Sequence, residues 1–213
     1  MISRFDLSML ISRYGLRDFV ETGYGSGAGV RAALAAGFES VASIEIVSEV
    51  AEQAGHEWSE DDERVTILEN NSYDGLSLIC QKTGGPILFW LDAYFPGRYG
   101  YEKQADEFNC PLEIELEVIS VARDASKDVI LIGGLSIYER GCERPIPGWQ
   151  GYGTENSKFI ERLFGDTHDI ARDHSGHGFA ALTPKKSTPV EKIVDKKRSP
   201  KVKEDEPVTA GHE

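Results

Sequence analysis

The chain has 213 residues, of which 40% are apolar, and 23 Lys and Arg stand against 36 Asp and Glu for a net charge of −13. That length suits one α/β domain with a sizeable core. An acidic body is repelled by phosphate backbones, so nucleic acid is not an expected partner. No apolar run reaches the length of a membrane span, so no membrane partner is expected either.

Residues 6–15 read as a short amphipathic helix with Leu7, Leu10, Ile11 and Tyr14 on one face. A first strand follows at 17–21, then a glycine-rich turn. A helix after Gly27 ends at Gly37, a residue suited to close a helix. The second strand is 40–45, and Ser48 to Trp58 is helical. Arg64 to Glu69 is a third strand and Asp74 to Lys82 a third strand-linked helix, stopped by Gly84-Gly85-Pro86. Ile87 to Leu91 is continuously apolar, as in a strand buried on both faces. A loop rich in Gly and Tyr spans 94–109. Cys110 to Arg123 is a helix, Asp128 to Ile132 a fifth strand, and a Pro/Gly-rich loop leads to a helix at 154–164. His168–Arg172 and Gly178–Leu182 are short alternating runs joined by a Gly-containing turn, which reads as an antiparallel hairpin.

This order predicts an α/β protein: a Rossmann-like, mostly parallel seven-stranded sheet flanked by helices, with the last strand antiparallel. Residues 1–183 form that domain. Residues 184–213 alternate Pro with Lys, Glu, Ser and Thr and bury too little apolar surface to order, so they are expected to be a disordered tail. The tail from Lys185 on holds 8 Lys/Arg and 6 Asp/Glu, which leaves −15 on the remainder. Cys80, Cys110 and Cys142 have no C-x-x-C spacing, which argues against a zinc site or a disulfide framework. A reduced, cytoplasmic setting is expected. The sequence is compatible with a homodimer.

The most informative segment is Glu21-Thr22-Gly23-Tyr24-Gly25-Ser26-Gly27-Ala28-Gly29, at the predicted end of the first strand. Glu45 ends the second strand about 20 residues after the glycines, where a carboxylate is placed to hold ribose hydroxyls. Two readings of the loop compete. Gly23, Gly25 and Ala28 satisfy the dinucleotide pattern G-x-G-x-x-[GA]. Gly23, Gly25 and Gly27 behind Glu21 satisfy E-x-G-x-G-x-G, the S-adenosylmethionine (SAM) version. Glu21 favours the second. A pyrophosphate at the following helix N-terminus would be repelled by a carboxylate, whereas the sulfonium and ammonium of SAM are attracted to one.

Two stretches extend the comparison: Phe89-Trp90-Leu91-Asp92-Ala93-Tyr94, and Cys110-Pro111-Leu112-Glu113-Ile114-Glu115-Leu116 ahead of Asp128-Val129-Ile130-Leu131-Ile132. With the Glu-Thr-Gly opening, they resemble class I SAM-dependent methyltransferases. More narrowly, they resemble small bacterial methyltransferase-like proteins with ETG and FWLDA motifs, over residues 17–135. The resemblance implies that Glu21, Gly23, Gly25 and Gly27 pack against the methionine portion of SAM and that Glu45 binds the ribose. It implies that Asn71 or Ser72 faces the adenine and that Asp92 faces the transferable methyl and the acceptor. Tyr94 stands where the group tends to have His, and Gly133-Gly134 where it tends to have paired aspartates. With one carboxylate left of that set, no metal site is expected, since a hard divalent cation needs more oxygen ligands.

The leading functional expectation is methyl transfer from SAM to a small-molecule O or N acceptor. Asp92 or the Tyr94 phenol would orient or deprotonate the acceptor. Phe95, Tyr99, Tyr101, Trp149 and Tyr152 would supply an aromatic acceptor wall. Loss of the paired aspartates supports an alternative, a non-catalytic SAM-fold binding protein. A third, an NAD(P)-binding oxidoreductase, rests on Gly23, Gly25 and Ala28 alone.

Overall fold

A computed structural model of the chain describes residues 2–58, 62–94, 110–139, 142–143 and 157–185. The predicted aromatic wall at 95, 99, 101, 149 and 152, and the tail from 186 on, lie outside the described residues.

Seven strands form one sheet: β1 (Asp18–Thr22), β2 (Ser40–Glu45), β3 (Val65–Glu69), β4 (Ile87–Leu91), β5 (Val129–Ile132), β6 (His168–Asp173) and β7 (Phe179–Pro184). Their order is β3-β2-β1-β4-β5-β7-β6. The first five run parallel, with Phe19 opposite Val41 on one side and Leu88 on the other. β7 enters antiparallel between β5 and β6, pairing Ile130 with Leu182 and Ile170 with Leu182. The expected sheet, including its antiparallel last strand, is therefore present. β7 continues to Pro184, one residue past the boundary expected at 183, and the backbone N–H of Lys185 donates to the Thr167 carbonyl at 2.9 Å.

The period of two in the central strands splits the core into two layers. Phe19, Leu88, Trp90, Val129 and Leu131 face α1 (Leu7–Tyr14), α2 (Ala28–Ala36) and α3 (Ser48–Trp58). Val20, Phe89, Leu91, Ile130 and Ile132 face α4 (Ser72–Lys82), α5 (Leu112–Ala122) and α6 (Lys158–Phe164). Every residue of β4 and β5 is buried, which explains their unbroken apolar sequence. Burying side chains of this size stabilises by roughly 1.5–3 kcal/mol each.

Local chemistry sets the helix ends. The Asp6 carboxylate accepts from Met9 N at 2.9 Å to start α1. The backbone N–H of Gly37 closes α2 on the Ala33 and Leu34 carbonyls. At the amino ends of the strands, Asp128 pairs with Arg123 at 2.8 Å and accepts from Ile87 N at 2.9 Å, locking β4 to β5. His168 is used there too, its Nε2 lying 3.0 Å from the Asp128 carbonyl. No helix among the described residues is long and apolar enough to cross a membrane.

Candidate active site

The carboxyl ends of β1, β2 and β4 converge where the strand order turns outward, the position at which open α/β sheets bind ligands. Glu21, Glu45 and Asp92 all stand at these ends.

Glu21 is 1% exposed. Ser43, its neighbour across the β1–β2 register, donates its hydroxyl to Glu21 Oε1 at 2.7 Å. The other carboxyl oxygen lies against the first turn of α2, where a Cβ on Gly29 would overlap it. Gly29 thus belongs to the site, and sequence reasoning did not assign it a role. Burial pushes the Glu21 carboxyl up to about 8; the Ser43 hydrogen bond opposes this, while Asp92 and Glu45 reinforce it.

The glycines bring backbone close to this carboxyl. Gly23, at φ +80°, donates to the Ile44 carbonyl at 2.8 Å, and a Cβ there would press on Ala93 Cα at 3.3 Å. β1, β2 and the end of β4 meet at that residue. Gly25 turns its N–H toward Glu45 Oε2 at 3.4 Å, a long contact, while Val47 N donates to Glu45 Oε1 at 3.0 Å. Glu45 therefore sits beside the glycine loop, held by backbone from the start of the β2–α3 connection.

Asn71 and Ser72 follow β3 as expected, but their side chains have local work. Asn71 caps α4: its Oδ1 accepts from Asp74 N at 2.8 Å and its Nδ2 donates to Asp74 Oδ2 at 2.7 Å. The hydroxyl of Ser72 faces Glu115 on α5.

Asp92 and Tyr94 explain the glycine pair at the end of β5. A Cβ on Gly133 would overlap Asp92 Oδ1, and one on Gly134 would fall 2.9 Å from Tyr94 Cε1. The two glycines thus make room for the side chains that the β4 end sends across to β5. Burial pushes the Asp92 carboxyl up to about 7. Burial likewise pushes Glu115 up to about 7, with the Ser72 hydroxyl opposing and Asp92 reinforcing. Glu115 is 1% exposed, and its Oε1 and the buried Thr22 Oγ1 have no hydrogen-bond partner among the described residues. Sequence reasoning missed it. The signal was there: Leu112, Glu115, Leu116 and Ile119 share one helical face, so a carboxylate lies on the apolar side.

Among the described residues no three His, Cys, Asp or Glu side chains are grouped to hold a metal ion. The cysteines that the structure describes, Cys80, Cys110 and Cys142, are free thiols.

No protein-family profile matches this chain, and no curated protein matches it in sequence. Solved structures do match in fold. A Staphylococcus aureus protein described as a caffeoyl-CoA O-methyltransferase superimposes with a TM-score of 0.57 at 13% identity, over 84% of this chain and 81% of that one. The methyltransferase domain of bacterial CtHen1 does so at 0.53 and 9%, over 84% and 94%. An Escherichia coli protein described as a methyltransferase does so at 0.50 and 14%, over 83% and 84%. The fold is the class I methyltransferase fold. At the sheet's switch point the strand ends carrying Glu21 and Glu45 lie beside the glycine loop, while Asn71 and Ser72 are engaged with Asp74 and Glu115.

Proposed function

We propose that the chain is a SAM-dependent methyltransferase acting on a small-molecule O or N acceptor. The observation that carries this reading is Glu21: a buried carboxyl directly behind a glycine loop and beside the first turn of a helix. A cationic ligand at that helix end gains by drawing the Glu21 carboxyl into its ionised form, whereas the pyrophosphate of a dinucleotide would gain nothing from it. The strand order argues the same way, since the common dinucleotide sheet runs 3-2-1-4-5-6 without an antiparallel strand between the fifth and sixth.

The donor set suits a cation bearing a nucleoside. Glu21, with Gly23, Gly25 and Gly27, would hold the methionine portion, and Glu45 the ribose hydroxyls. Asn71 and Ser72 would border the adenine at the β3–α4 turn. When bound, SAM supplies an electrophilic methyl group.

The protein's part is to orient the acceptor and take its proton. Asp92 would do both. Enclosure beside Trp90 and Gly133 raises its proton affinity toward neutrality, where a carboxylate is an effective general base. Tyr94, seated over Gly134, would flank the acceptor. Much of the rate in such a displacement comes from holding both reactants in line. The glycine pair favours this reading over a non-catalytic binding protein, because it accommodates Asp92 and Tyr94 rather than leaving a gap.

The test is transfer from labelled SAM to a metabolite pool, comparing wild type with Asp92→Asn. Labelled product from wild type and its loss in the variant support the reading. Tight cofactor binding with no transfer to any acceptor would leave a binding protein instead.

A further inference from the structure

Tyr24 lies between Gly23 and Gly25, yet it does not point toward a ligand. It is 7% exposed and folded under the glycine loop. Its hydroxyl donates to Glu57 Oε2 at 2.8 Å and accepts from Trp58 Nε1 at 2.9 Å. Both partners belong to the last turn of α3, more than thirty residues away along the chain. Arg31 completes the arrangement: its Nη1 donates to Glu57 Oε1 at 2.8 Å, and its Nη2 donates to the Ser26 carbonyl in the same loop. Gly27 donates to the Tyr24 carbonyl at 2.9 Å and takes φ +71°, and a Cβ there would meet the Tyr24 hydroxyl at 2.5 Å. The third glycine is therefore required as much by Tyr24 beneath the loop as by any ligand above it.

We propose that Tyr24 is a positioning residue: gripped by Glu57 and Trp58, it fixes the glycine loop in its ligand-ready shape before the nucleoside cofactor arrives. This rests on the SAM reading given above. The physical reason is the composition of the loop. Four glycines in seven residues have wide conformational freedom, and binding would otherwise have to order them. A pre-formed loop keeps the competent fraction of the free protein high, and apparent affinity scales with that fraction. The phenol ring supplies rigid apolar mass under the loop, and its hydroxyl supplies the direction. The clamp touches neither Asp92 nor Glu21, so it acts on binding and leaves the chemistry alone.

The experiment compares wild type with Tyr24→Phe, which removes the hydroxyl and both of its hydrogen bonds, and Trp58→Phe, which removes the one donated by the indole; each keeps an aromatic ring. Glu57→Gln separates Tyr24 from Arg31, since its amide oxygen still accepts from Tyr24 while its amide nitrogen gives up the Arg31 contact. Amide hydrogen exchange is followed in the free proteins. Residues 23–28 should exchange faster in the two Phe variants and at the wild-type rate in Glu57→Gln, with β4 and β5 unchanged. Binding of S-adenosylhomocysteine is followed by stopped flow. The Phe variants should associate about 3- to 10-fold more slowly, the range expected for losing a net hydrogen bond, with dissociation unchanged. Wild-type exchange in the loop of Tyr24→Phe would overturn the clamp. Faster dissociation with unchanged association would overturn pre-formation. If wild type itself binds no S-adenosylhomocysteine, the cofactor reading and Tyr24's role for it both fall. The exchange data would still show separately whether the clamp orders the loop.

Discussion

Replacing Glu21 by Gln probes the feature on which the cofactor assignment depends. The wild-type carboxyl is held up to about 8 by burial, against an ordinary value of 4.5. At pH 7 it carries a proton in the free protein, so a neutral amide of the same size should fold with little change there. The two proteins should part as pH rises. A carboxyl with a folded-state pKa above its unfolded value stabilises fully below the unfolded value, and this stabilisation is lost as pH climbs through the folded value. Each unit of difference is worth about 1.4 kcal/mol. The interval from 4.5 to about 8 therefore amounts to about 5 kcal/mol at most. Glu21→Gln lacks that slope, so it should gain on wild type between pH 5 and 9. Asp92 and Glu115 are raised in the same direction and titrate in both proteins, so the difference between the two curves isolates Glu21. The assay is the urea midpoint measured at pH 5, 7 and 9. Parallel profiles for the two proteins would mean that the Glu21 carboxyl is not held above its ordinary value. A second consequence follows for binding. A cationic ligand favours the ionised carboxyl, so SAM should release a proton from wild type at pH 7, and less from Glu21→Gln. Calorimetry in buffers of different ionisation heat reads that directly.

Other outcomes follow from the same geometry. Glu45→Ala should keep the fold and weaken S-adenosylhomocysteine by about 1.5–3 kcal/mol, the range for hydrogen bonds to a charged group; wild-type affinity would place the ribose elsewhere. Gly133→Ala should drive Asp92 from its seat and lower the transfer rate by roughly 100- to 10,000-fold, as for loss of a general base, with cofactor affinity little changed. Transfer should be unaffected by EDTA, because Gly133 and Gly134 bring no side-chain ligand beside Asp92; activity restored only by Mg²⁺ would contradict this.

The sheet was legible because its strands and helices obey local rules. Ser40–Glu45, Ser48–Trp58 and Ile87–Leu91 occupy the spans read from periodicity and breakers. The acids at strand ends were legible for the same reason, since fixing the strands fixes where Glu21, Glu45 and Asp92 fall. What escaped depended on contacts between elements. Gly133-Gly134 reads as a loss of acids until Asp92 and Tyr94 are seen in the space the glycines vacate. Gly29 looks like one more loop glycine until the Glu21 carboxyl is placed against it. Tyr24 shows no purpose in sequence because its partners, Glu57 and Trp58, lie on another helix. Asn71 shows the reverse case. The Asp74 three residues on was a capping signal, and the cap uses both ends of its amide.

On the proposed function, this face binds a phosphate-free cationic nucleoside cofactor rather than a dinucleotide. Thermal shift and titration calorimetry with S-adenosylhomocysteine, SAM, NADH and NADPH test it most directly. The first two should bind, with about 2.7 kcal/mol of added stability at a hundred times the dissociation constant, and neither dinucleotide should give a shift. Stabilisation by NADH or NADPH with none from S-adenosylhomocysteine would contradict it.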